Sequence, residues 1–121
     1  MSKHVVLVED ELNIDEAIRF LLSNEGWRVE TLANGGSAVE VIRNSVPDLV
    51  MLDVMLPGRS GFEILHDLRA DPDLAALPVL MLTARGQARD REMAEKAGVS
   101  RFMTKPFSNA EMLDAVRELT S

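Results

Sequence analysis

The sequence has no cysteine and no tyrosine. The first absence excludes disulfides and thiolate metal sites and favours a cytoplasmic setting. The second weakens any reading that needs aromatic rings stacked on a flavin. No run approaches the roughly 20 apolar residues that cross a bilayer, and Met1-Ser2-Lys3-His4 does not begin a charged-then-apolar leader. Neither a membrane span nor a secretion signal is therefore expected. Positive charge is also scarce, with 13 Lys and Arg against 20 Asp and Glu and a net charge of -7. That balance repels phosphate backbones, so direct nucleic-acid binding by this chain is not expected. Apolar content, by contrast, reaches 46% over 121 residues, enough for one domain over 1–121 with a core of its own.

The apolar residues fall into short runs, each ending in a polar residue. Val5-Val6-Leu7-Val8 leads into Glu9-Asp10, and Leu49-Val50-Met51-Leu52 into Asp53. Val79-Leu80-Met81-Leu82 ends in Thr83, and Phe102-Met103-Thr104 ends in Lys105-Pro106-Phe107. Runs of this length without alternation fit strands buried on both faces of a parallel sheet. Parallel strands share their C-terminal edge, where open α/β sheets bind ligands. Three acids, a hydroxyl and an ammonium are expected to meet there.

Helical periodicity fills the intervals. Ile14, Ala17, Ile18, Leu21 and Leu22 follow the spacing of one buried helix face, which Gly26 ends. Trp27 to Ala33 reads as a strand, and Gly36 to Asn44 as a short helix with Val39 and Ile42 inward. Ser60 and Glu63 have capping-box spacing before Ile64, Leu65 and Leu68; Ser108 and Glu111 repeat it before Met112, Leu113 and Val116. The segment from Ala88 to Ala97 has a thin apolar face of Met93, Ala94 and Ala97 among charged residues. His4 and His66 are isolated and read as strand-start or surface residues, while Phe20 and Trp27 are expected to pack. Met51, Met81, Met103 and Met112 fit the core. Five strands alternating with five helices predict a doubly wound α/β domain. Ser121 follows the last helix directly, so no output domain is expected within this stretch.

Glu9, Asp10 and Asp53 brought together must hold extra protons or recruit a cation. An all-oxygen set without His or Cys suits Mg²⁺ (or Mn²⁺) better than zinc. Asp10 and Asp53 are the expected direct ligands, with Glu9 acting through water and the Met55 backbone carbonyl completing the set. Asp53 is the candidate phosphoryl acceptor. Lys105 and the Thr83 hydroxyl are placed to meet the oxygens of a transferred phosphoryl group.

Taken together, Glu9-Asp10, Asp53 with Leu56-Pro57-Gly58 and Gly61, Thr83-Ala84, and Lys105-Pro106-Phe107 resemble the receiver domain of two-component response regulators over essentially the whole chain. The resemblance implies a flavodoxin-like, five-stranded parallel sheet of order 2-1-3-4-5. It implies that Asp53 takes a phosphoryl group from a sensor histidine kinase or a phosphotransfer protein with Mg²⁺ bound, and that Ala84 joins Thr83 and Lys105 against that group. A cis peptide between Lys105 and Pro106 is also implied. The family's switch couples Thr83 to an aromatic residue on the fifth strand, here Phe102: as the hydroxyl moves toward the phosphoryl group the ring turns inward, and the face of the fourth helix, fifth strand and fifth helix changes. The resemblance further implies that the positions occupied here by Met55 and Arg85 tune the lifetime of the acyl phosphate.

Met55-Leu56-Pro57-Gly58 and Thr83-Ala84-Arg85-Gly86 look like receivers attached to winged-helix transcription factors. This implies a downstream effector or attached output domain, and a homodimer through the same switch face. Ser100-Arg101 stand where that dimer's pairing acids are expected, although Asp90 and Arg91 are present. The domain reads as a regulatory switch that assists its own phosphorylation and dephosphorylation, not as a turnover enzyme. Alternatives are a degenerate receiver acting as a constitutive interaction module and an aspartate-nucleophile phosphatase. The phosphatase would need a second acid where Met55 stands. A flavodoxin-type electron carrier is disfavoured by Glu9-Asp10-Glu11, which would repel the flavin phosphate.

Overall fold

A computed structural model describes residues 3–84 and 88–121. Five strands, β1 (His4–Val8), β2 (Arg28–Leu32), β3 (Leu49–Asp53), β4 (Val79–Thr83) and β5 (Arg101–Thr104), alternate with five helices. The helices are α1 (Leu12–Asn24), α2 (Ala38–Ser45), α3 (Gly61–Ala70), α4 (Ala88–Lys96) and α5 (Asn109–Thr120). All strand pairs are parallel, in the order β2-β1-β3-β4-β5. The alternation of runs and helices predicts the doubly wound α/β layers, and this strand order is the flavodoxin-like one that the family resemblance implies. Among the described residues no helix is long and apolar enough to cross a membrane.

The three central strands are buried along their whole length, which is why they read as unbroken apolar runs. Successive residues face opposite layers. Val6, Val8, Val50, Leu52, Met81 and Phe102 pack with Ile42, Leu65, Leu68 and Ala94 on one side. Val5, Leu7, Met51, Leu80, Leu82 and Met103 pack with Ile18, Leu22, Met112 and Val116 on the other. Both capping boxes form reciprocally, Ser60 with Glu63 and Ser108 with Glu111. They fix where α3 and α5 begin, one residue after each capping serine. His4 opens β1, and its backbone N–H donates to Asp48 Oδ2 at 2.8 Å.

Helix faces depart from expectation at their margins. Ala17 is exposed because α1 meets the sheet through Ile18 and Leu22, one turn apart, and Ala17 lies at the edge of that stripe. Phe20 was expected to pack but is 67% exposed; two residues past Ile18 is about 200° around the helix. Ala38 rather than Val39 is fully buried with Ile42, and Ala115 rather than Leu113 accompanies Met112 and Val116. Ala38 and Ile42 are four apart, as are Met112 and Val116, with Ala115 three after Met112 on the same face; Val39 and Leu113 each sit one residue past that line. Helix α4 is anchored more thinly still, since Met93 is exposed and Asp90 and Ala94 are its buried residues.

Candidate functional site

The sheet's C-terminal edge is held level by backbone bonds that extend the ladder past the strand ends. Glu9 N–H donates to Leu32 O (2.9 Å), Val54 N–H to Leu82 O (2.9 Å) and Lys105 N–H to Thr83 O (2.7 Å). These bonds bring Glu9, Asp53, Thr83 and Lys105 to one edge, as the four runs predict. Glu9, Asp53 and Thr83 are buried there, while Asp10 and Ala84 are exposed.

The loop after Asp53 is shaped by close backbone contacts. Gly61 N–H donates to Val54 O at 2.9 Å, and a Cβ on Gly61 would lie 2.3 Å from the Asp53 carbonyl oxygen. Only glycine lets α3 start this close to the carboxylate's own backbone. Gly58 has φ +85°, and a Cβ there would meet Asn34 Oδ1 at 2.3 Å, while Gly35 N–H donates to Pro57 O at 2.9 Å. The β2–α2 loop thus braces the β3–α3 loop. The peptide between Lys105 and Pro106 is cis.

Lys105 Nζ lies 2.6 Å from Glu9 Oε1, 3.4 Å from Asp53 Oδ2 and 3.5 Å from Glu11 Oε1. Glu9 Oε2 accepts from the Glu11 N–H at 3.1 Å, and Asp53 Oδ1 from the Met55 N–H at 3.3 Å. Burial pushes the Glu9 carboxyl up to about 7; the Lys105 and Glu11 hydrogen bonds oppose this, and the Asp53 charge adds to it. Burial acts to lower the Lys105 ammonium, but the Glu9 hydrogen bond and the charges of Asp53, Glu9 and Glu11 outweigh it and hold the group above its ordinary value. Lys105 therefore stays charged, and Glu9 is the group that keeps a proton near neutrality.

Carboxylate oxygens of Glu9, Asp10 and Asp53 lie within 4.8 Å of one another. One ammonium against this set leaves excess negative charge, and the donors are all oxygen. A hard divalent cation such as Mg²⁺ or Mn²⁺ fits both features.

Sequence reasoning missed Glu11 as a Lys105 partner; its only signal was its place as the third acid of Glu9-Asp10-Glu11. It also missed the bracing by Asn34 and Gly35, because contacts between loops leave no periodic trace. Arg85 and Gly86, expected near the site, and Met1-Ser2, expected not to form a leader, lie outside the described residues.

The family model for the response regulator receiver domain matches residues 5–117. The probable transcriptional regulatory protein TcrX of Mycobacterium tuberculosis is 42% identical over 115 residues, covering 95% of this chain and 48% of that protein. The phosphate regulon transcriptional regulatory protein PhoB of Rhizobium meliloti is 37% identical, covering 98% of this chain and 52% of that protein. The chain thus spans about half the length of these curated relatives. Among solved structures, the receiver domain of sensor histidine kinase PA1611 from Pseudomonas aeruginosa, with a magnesium ion coordinated in its active-site cleft, superposes with a TM-score of 0.91. It is 28% identical and covers 99% of this chain and 98% of that one.

Proposed function

The chain belongs to the response regulator receiver domain family of two-component signalling, and on that premise we propose that Asp53 accepts a phosphoryl group from a sensor histidine kinase or a phosphotransfer protein. The observation that carries this reading is the buried Asp53 carboxylate with the Lys105 ammonium 3.4 Å from Oδ2, inside a cluster of carboxylates spaced to share a cation.

An Asp53 oxygen attacks the phosphorus in line. A new P–O bond forms as the P–N bond of the donor phosphohistidine breaks, and the departing imidazole nitrogen takes a proton from solvent. Lys105, already beside Oδ2, follows one phosphoryl oxygen, and the Thr83 hydroxyl donates to another, with the Ala84 backbone alongside. Asp10, Asp53 and the Met55 carbonyl, with Glu9 through water, would hold Mg²⁺ or Mn²⁺, which would supply charge neutralisation on the phosphoryl oxygens. The Met55 N–H on Oδ1 keeps the carboxylate oriented.

The same groups serve hydrolysis of the acyl phosphate, so the domain assists its own phosphorylation and dephosphorylation and acts as a switch. Movement of Thr83 toward the phosphoryl group and the position of the Phe102 ring reshape the α4–β5–α5 face. That face meets a downstream effector or an attached output domain in the cytoplasm. The same face is the one a homodimer would use, although Arg101 is paired within the chain with Glu118 at 2.8 Å and Ser100-Arg101 stand where the dimer's pairing acids are expected; sedimentation with and without beryllofluoride tests this.

Intact mass after incubation with Mg²⁺ and acetyl phosphate tests the assignment. One phosphoryl adduct on the wild type and none on Asp53→Asn is expected. An adduct of equal yield on both would remove Asp53 from the role.

A further inference from the structure

Helix α4 faces the sheet with very little apolar surface. Ala94 is fully buried, but Met93 is 45% exposed. One turn before Ala94, the Arg91 guanidinium lies over the Phe102 ring, with Cζ 5.1 Å from the ring centroid. Residues three apart share a helix face, so Arg91 and Ala94 together cover β5 where most helices would use aliphatic side chains. Phe102 itself is 7% exposed and packs in the core cluster with Met81 and Ala94. It pairs with Met81 while Thr83 pairs with Thr104, so Phe102 and Thr83 point to the same face of adjacent strands. The C-terminal end of α4 is tied down separately. Val99 N–H donates to Ala94 O at 3.0 Å, and Arg69 Nε of α3 donates to Gly98 O at 2.7 Å.

We propose that Arg91 is the residue through which α4 reads the switch: its guanidinium, stacked on the face of Phe102, stabilises the ring in its buried position and ties that position to the helix. This rests on the reading of Asp53 as phosphoacceptor and adds to it a positioning residue outside the acidic cleft. Phe102 has no hydroxyl to make a hydrogen bond, so its π face is what a neighbouring group can recognise, and a planar cation is suited to it. A ring displaced from this position breaks the guanidinium contact. The fixed end at Gly98 makes the Arg91 end of the helix the one that responds.

A double-mutant cycle tests this with wild type, Arg91→Ala, Phe102→Leu and the combination, each titrated with beryllofluoride and Mg²⁺ and followed by amide NMR. Arg91→Ala is expected to weaken apparent beryllofluoride affinity roughly two- to fivefold when Phe102 is present and to have almost no effect in the Phe102→Leu background. Arg91→Lys should fall between, and the α4 amides should shift less in Arg91→Ala at saturation. Thermal melts establish that each variant is folded. An equal effect of Arg91→Ala in both backgrounds, or none in either, overturns the proposal and leaves the Asp53 assignment standing. Wild type that takes up no beryllofluoride overturns both.

Discussion

The Lys105 ammonium is seated on Glu9, at 2.6 Å, and stands farther from Asp53, at 3.4 Å. The cation proposed to follow the phosphoryl group is thus held by a neighbour of the proposed acceptor more closely than by that acceptor itself. Asp53 keeps Oδ1 on the Met55 N–H, and burial raises the proton affinity of Glu9.

That raised affinity predicts a pH dependence. The Glu9 carboxyl is raised to about 7 from its ordinary 4.5, so the folded chain binds this proton more tightly than the unfolded chain does. The stability it contributes is complete below about 4.5 and is lost as pH rises through about 7. Cation binding needs the ionised form, so apparent Mg²⁺ affinity should rise about tenfold from pH 6 to pH 8. Mg²⁺ titrations by NMR at several pH values check this, together with melting curves in which Mg²⁺ stabilises more at pH 8 than at pH 6. Affinity flat across that range would mean that Glu9 does not hold the proton.

Lys105→Met separates the two duties of the ammonium. Without it, Glu9 and Asp53 face each other uncompensated, so Mg²⁺ should bind more tightly while phosphorylation by acetyl phosphate slows on the order of 100-fold. The metal-free protein should lose about 1–3 kcal/mol at pH 8 and less at pH 6, where Glu9 takes up a proton. Parallel losses of metal affinity and rate would contradict this.

Gly61→Ala tests how the acceptor is positioned. The added methyl would sit 2.3 Å from the Asp53 carbonyl oxygen, so α3 must retreat or the loop must shift. A loss of about 1–3 kcal/mol in chemical denaturation is expected, with weaker Mg²⁺ binding.

Much of this was legible in the chain. The central strands are buried on both faces, so they appear as unbroken apolar runs, and the residue that ends each run is the one at the sheet edge. Ser60 with Glu63 and Ser108 with Glu111 announce two helix starts through local hydrogen bonds that need no tertiary context. What the chain concealed depends on the angle at which helices meet the sheet, as with Ala17 and Phe20, or on contacts between distant loops, as with Asn34 and Gly58. The guanidinium of Arg91 on Phe102 was hidden for another reason: a charged residue on a polar helix looks like a solvated one.

Val46 offers a stability test away from the site. It caps α2 in the left-handed region at φ +45° and is 67% exposed, an unfavourable conformation for a β-branched residue. Val46→Gly or Val46→Asn should stabilise the domain by about 0.5–1 kcal/mol. Denaturant melts would show this as a higher midpoint with an unchanged slope.

The most direct test of the central claim is to locate the phosphoryl group. Protein treated with acetyl phosphate and Mg²⁺ is reduced with borohydride, which converts an acyl phosphate to the alcohol, and the modified residue is found by peptide mass. Conversion at Asp53, lost when Mg²⁺ is chelated before the donor is added, is the predicted result. Conversion at Glu9, Asp10 or another carboxylate in its place would contradict the account.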